Sequence, residues 1–132
     1  MQIVNGIKIS LQTRPEDVDR ILDAVCAIDP LNYGVYDRNA MIRGNVTGMY
    51  KHQEGSTTHI HLGTTDLQVH SYVELEFIIA ADTDLNAVLQ AVIDNHHYEE
   101  PVISFHPVQT TRADYNPNSD NKNRWWHQDN KS

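Results

Sequence analysis

The chain contains one cysteine, Cys26, so no internal disulfide can staple it. A reducing compartment is the simplest expectation. Cys26 falls in a helical apolar pattern and is expected in the core rather than as a reactive thiol. No apolar run approaches the roughly 20 residues that a membrane-spanning helix needs. Residues 1–11 lack the basic start and long apolar stretch of a signal peptide. The expectation is a cytoplasmic protein with no membrane partner. Positive charge is also scarce: 10 Lys and Arg stand against 18 Asp and Glu, a formal charge of −8. Such a surface repels phosphate backbones, which argues against nucleic acid as a partner.

Catalytic motifs are missing too. With only 6 glycines, the sequence has no phosphate-cradling glycine loop and no elbow presenting a nucleophilic serine. Paired carboxylates such as Glu74 and Glu76 read more simply as the solvated or subunit-facing side of a strand. An enzyme is therefore not the expectation, and a hydrolase is the least favoured reading.

What remains is a single-domain length of 132 residues with ordered periodicities. Ile3, Ile7, Ile9 and Leu11 share one face of a first strand. Thr13-Arg14-Pro15-Glu16 reads as a capping box. Val18, Ile21, Leu22, Val25 and Ile28 follow at helical spacing until Asp29-Pro30. Residues 33–37 and 41–52 look extended, with a bend near Gly44. Glu54-Gly55-Ser56-Thr57 suits a hairpin turn, with residues 58–62 returning from it. In residues 69–80, Val73, Leu75, Phe77 and Ile79 face one way; Tyr72, Glu74 and Glu76 face the other. Asp82-Thr83-Asp84 caps a second helix whose stripe is Leu85, Val88, Leu89, Val92 and Ile93. A last strand covers residues 102–108.

The order is βαββαβ with an inserted β-hairpin, an α+β ferredoxin-like module over residues 1–108. Right-handed crossovers put both helices on one face of an antiparallel sheet. The other face is left open, and Tyr72 with its apolar neighbours suggests a second copy as cover, giving a homo-oligomer, dimer or trimer. Residues 109–132 are polar and read as a flexible tail. Trp125-Trp126 within it is a candidate anchor for a neighbouring subunit or protein partner.

The 8 histidines exceed any structural need. His59 and His61 share a strand face. If Gly55-Ser56 turns the chain, His52 sits opposite His59, and a second turn at Thr64-Thr65 brings His70 to its other side. Cross-strand Cβ atoms lie roughly 5 Å apart, close enough for imidazoles to converge on one ion. His52, His59, His61 and His70 are thus a candidate site for a divalent Zn, Cu or Ni ion. The alternative is a solvated hairpin with incidental histidines, because a one-residue slip scatters the set.

His96-His97-Tyr98-Glu99-Glu100-Pro101, directly after the second helix, resembles the His-Pro-Tyr-Glu-Glu-Pro signature of the YqfO-like (Nif-three-like) family, with His97 in place of proline. Gly34-Val35-Tyr36-Asp37 resembles its Gly-Asn-Tyr-Asp. Gly48-Met49-Tyr50-Lys51-His52-Gln53-Glu54-Gly55 resembles its Gly-Thr-Phe-Arg-Pro-Leu-Glu-Gly. Residues 72–93 resemble its last strand and helix. The likeness spans residues 5–108. Asn39, Met41 and Lys51 depart from the family's Cys, Phe and Arg. The resemblance implies a CutA-like or PII-like module that assembles and binds a metal ion or small effector. It does not carry over the dinuclear metal site or the cyclohydrolase label, which belong to a larger domain with no counterpart here. The implied ligand set, at a subunit interface, is His96, Tyr98, Glu99, Glu100 and Tyr36. A purely structural role is the alternative: His96 bonded to the last helix carbonyls, and the glutamates paired with a basic group of another subunit.

Overall fold

The computed structural model describes residues 1–57 and 62–127. Its main elements among these residues follow in the order β1 (Gln2–Thr13), α1 (Val18–Cys26), β2 (Met41–Tyr50), β3 (Gln68–Ala80), α2 (Leu85–Asn95) and β4 (Ile103–Arg112). The sheet is antiparallel in the order β2-β3-β1-β4, which is the ferredoxin-like arrangement that the periodicities predict. No helix among the described residues is long and apolar enough to cross a membrane.

The core forms where the alternating strand pattern meets the two helical stripes. Ile9 and Leu11 of β1 pair with Phe77 and Leu75 of β3. Paired residues share a face, and the helices cover it with Ile21, Leu22, Val25, Val88 and Val92, all buried. Asp84 caps α2 by accepting the Ala87 N–H at 3.2 Å, as its place before the stripe suggests. Cys26 packs at the margin of this core, and burial pushes its thiol up from the ordinary value.

Several expectations change. Thr13 is the last residue of β1 and fully buried, so it does not cap α1. A 3-10 turn, Pro15–Asp17, intervenes, and Arg14 precedes it without a side-chain cap. Tyr33 and Tyr36 meet in an isolated bridge instead of a strand. β2 shifts register between Arg43 and Val46, and Asn45 there takes a left-handed φ of 60°; the bend expected near Gly44 is a β-bulge. β2 pairs directly with β3, and the insert adds no strand among the described residues. Thr57 and Leu62 are helical, while residues 58–61 of the expected hairpin lie outside the described residues. β4 runs to Arg112, past residue 108, because its pairing with Gln2–Asn5 is made by backbone groups that need no aliphatic side chains.

The sheet face away from the helices is not the apolar surface expected. Glu76 pairs with Lys8 at 3.9 Å and Arg43 at 3.5 Å, and Glu74 with Arg43 at 2.9 Å. Tyr72 on the same face is only 7% exposed, covered by its own chain. A Cβ at Gly48 would stand 2.8 Å from the Tyr72 ring, so glycine lets that ring lie over β2.

Asp17 binds the two ends of the fold together. Its carboxylate, 1% exposed, accepts from Arg14 at 2.7 and 3.0 Å and from Arg20 at 2.7 Å. Arg20 also donates to the Asn95 carbonyl at the end of α2 at 3.1 and 2.8 Å. His97 Nδ1 lies 3.0 Å from Asp17 Oδ2. The hydrogen-bonded Arg14 guanidinium, helped by Arg20 against the opposing effect of burial, holds the Asp17 carboxyl down at about 2. Burial lowers the His97 value, aided by Arg14 and His96 and opposed by Asp17.

Two outcomes follow. A base whose folded value is depressed costs stability as pH falls below its ordinary 6.5; an acid depressed to about 2 costs stability as pH falls below 3.8. Denaturant midpoints should therefore fall in two stages on acidification, and Asp17→Asn should reduce the lower stage, to which the hydrogen-bonded Asp29 carboxyl, also held below its ordinary value, contributes, while costing about 2 kcal/mol at neutral pH. A midpoint for Asp17→Asn equal to that of the parent would refute the linkage. Gly48→Ala should cost about 1–3 kcal/mol by displacing the Tyr72 ring, seen as a changed near-ultraviolet dichroism with an unchanged far-ultraviolet spectrum.

Candidate functional site

The segment after α2 crosses the end of the sheet where β1 stops. His96 is its pivot. Its backbone is extended, with φ −89° and ψ 142°, which ends the helix and turns the chain toward β1. Its ring Nε2 lies 2.7 Å from the Gln12 carbonyl, and its Nδ1 accepts the Tyr98 N–H at 3.0 Å. A carbonyl can only accept and an N–H can only donate, so the network assigns His96 the neutral form with its proton on Nε2. Both ring nitrogens are engaged within the chain, and their effect is to aim the Tyr98 ring.

That ring joins a continuous group of seven. Tyr98 meets Tyr72 edge-on with centroids 5.4 Å apart and Tyr50 at 5.8 Å. His96 and His97 stack on each other at 5.1 Å and contact Tyr98 at 5.1 and 4.2 Å. Tyr50 extends the group to His52 at 5.2 Å, edge-on, and to His70 at 5.8 Å, stacked. His70 returns to Tyr72 at 6.1 Å. Strand pairing explains the convergence. Val46 lies opposite Tyr72, Gly48 opposite His70 and Tyr50 opposite Gln68, so Tyr50, His70 and Tyr72 rise from one face. Burial, with Tyr50 beside it, raises the Tyr72 phenol above its ordinary value. The Tyr98 hydroxyl is buried with no hydrogen-bond partner among the described residues.

The structure thus joins residues that the sequence assigns to two separate sites. His52 and His70 of the metal set and His96 and Tyr98 of the ligand set are bridged by Tyr50 and Tyr72. Glu99 and Glu100 are exposed on the adjoining segment. Tyr36 stands apart, 60% exposed on the α1–β2 loop. His59 and His61 lie outside the described residues, and among the described ones no three His, Cys, Asp or Glu side chains form a group able to hold a metal ion. His70 lies opposite Gly48 of β2. Tyr50, Tyr72 and His97 are the members that sequence reasoning missed. The signal was present in Tyr50-x-His52 and His70-x-Tyr72, each a ring pair at the spacing that shares a strand face.

No protein-family model and no curated protein matches the sequence. Solved structures do. A Bacillus cereus protein related to NIF3 superimposes with a TM-score of 0.63 at 20% identity over 82% of this chain; the match spans 27% of that protein's own length. CutA1 from Oryza sativa gives a TM-score of 0.57 at 17% identity, covering 83% of this chain and 84% of its own. CPII, a nitrogen regulatory PII-like protein from Thiomonas intermedia bound to ADP, AMP and bicarbonate, gives 0.53 at 12% identity, covering 85% and 99%. The likeness at these identities is one of fold, and it runs to the NIF3-related, CutA and PII structures that the sequence motifs resemble.

Proposed function

We propose that this chain is a small oligomeric binding module whose ring group takes a divalent metal ion or a small effector. The observation that carries the proposal is the merging of His52 and His70 with His96 and Tyr98 into one group through Tyr50 and Tyr72. Imidazole suits Zn, Cu and Ni ions, and His59 and His61 are the further nitrogen donors in this reading. Aromatic faces and a buried hydroxyl suit a planar effector equally. The nucleotides and bicarbonate in the PII-like neighbour support an effector of that size. Glu99 and Glu100 complete the ligand set from the adjoining segment, and Tyr36 from a second subunit.

Assembly as a dimer or trimer is supported by surface. Met41, Ile42 and Met49 of the β2 edge, and Val69 opposite Met49 on β3, are each more than half exposed. With ion pairs across the reverse face, this edge is the better candidate for a partner copy. Trp125, 73% exposed and edge-on to Trp126 at 5.7 Å, fits an anchor from the segment beyond Arg112 onto that copy.

Titration calorimetry with Zn²⁺, Cu²⁺ and Ni²⁺ should give a dissociation constant below ~100 µM for at least one ion, weakened at least tenfold (about 1.4 kcal/mol) in His70→Ala. Binding indifferent to that substitution would remove the metal reading and leave the effector. Light scattering at micromolar concentration should report a dimer or trimer. A monomer would remove the shared-interface part of the proposal.

A further inference from the structure

β2 and β3 outrun the rest of the sheet. β1 stops at Thr13, opposite Val73, but the pairing of β2 with β3 continues from Val46 opposite Tyr72 to Tyr50 opposite Gln68. Residues 46–50 and 68–72 therefore form a two-stranded arm about 17 Å long, with no third strand among the described residues. Its two faces differ. Gly48, Tyr50, His70 and Tyr72 lie on the inner face, where Tyr98 packs against two of the rings. Thr47, Met49, Val69 and Ser71 lie on the outer face, and all four are exposed. The apolar core reaches no further along this end of β3 than Val73, so the helices leave the outer face bare.

A ribbon of two strands is marginal in water unless a further element packs on it. Charge narrows what that element is. Residues 44–50 and 67–73 contain no Asp, Glu, Lys or Arg, in a chain whose formal charge is −8. A basic partner is drawn to the acidic surface and away from this stretch. Two copies of the chain repel wherever their acids meet, and an uncharged contact avoids that cost. Charge-poor surface with methionine is also what the centre of a protein interface carries. The other edge of the sheet is less suited. β4 carries Pro107 opposite Ile7, and proline interrupts an edge's row of donors. Residues 46–50 hold neither proline nor lysine.

We propose that the outer face of the arm docks on a second copy of the chain, and that docking steadies the ring group on the inner face, so that assembly and ligand binding strengthen each other. The coupling rests on the ring group as the binding site. Docking and ligand order the same five residue pairs, and whichever comes first leaves less conformational entropy for the other to remove. Linkage makes the effect mutual: the factor by which a ligand tightens assembly is the factor by which assembly tightens the ligand.

Sedimentation and hydrogen exchange of the full chain test it. Amides of residues 46–50 and 68–72 should exchange at least tenfold more slowly above the association midpoint than below it. Met49→Lys and Val69→Lys put a charge on the face away from the rings. Each should weaken association at least tenfold, with the parent's far-ultraviolet dichroism retained. Whichever of Zn²⁺, Cu²⁺ and Ni²⁺ binds most tightly should tighten association of the parent at least tenfold. A parent that stays monomeric, two variants that associate as the parent does, or arm exchange indifferent to association would overturn the docking. An ion that binds and leaves association unchanged would overturn the coupling alone. Absence of binding by all three ions would instead remove the metal reading of the ring group, since sedimentation and exchange decide the docking without an ion.

Discussion

A carboxylate with almost no contact with water sits at the start of the first helix, and the placement of everything at that end of the sheet depends on it. Asp17 alone would be expensive to bury. Arg14 and Arg20 neutralise it, and because Arg20 also holds the last carbonyl of α2, the start of α1 and the finish of α2 become one unit. His97 adds a third contact from the crossing segment. The arginines are about half exposed, so the cost of desolvation falls on one charge rather than three. The result is a fixed origin from which His96 reaches back to Gln12 and forward to Tyr98.

The two faces of the sheet divide the labour. The helix side is a conventional apolar core. The reverse side spends its central positions on ion pairs among Lys8, Arg43, Glu74 and Glu76 and gathers its aromatic rings at one end. The β2 edge carries Met41, Ile42 and Met49, each more than half exposed. Assembly and ligand binding, in the reading advanced above, therefore draw on adjacent but different parts of the surface.

Periodicity revealed the elements because it is local: Ile9 and Leu11, or Val88 and Val92, advertise their face within a few residues. Asp84 before a stripe announced its helix for the same reason. Thr13 misled because a hydroxyl before Pro15 suits a cap as well as a strand end, and only pairing with Val73 decides between them. Asp17 gave no sign, since an acid in a first helical turn is ordinary until the opposite helix arrives. His52, His70, His96 and Tyr98 were each noticed, but their meeting spans more than forty residues and rests on strand register. Residues 33–37 read as extended because the left-handed turns that flank them fall on Leu31 and Arg38, where sequence rarely announces them.

The bulge between Arg43 and Val46 has a further consequence. Arg43 and Tyr50 stand on the same side of the sheet although seven positions separate them, an odd number that strict alternation forbids. One supernumerary residue at Asn45 repairs the parity. Shortening β2 by that residue would turn Met49 and Tyr50 about, sending the phenol under the helices and leaving a thioether among the imidazoles. The aromatic assembly is thus conditional on a single inserted residue.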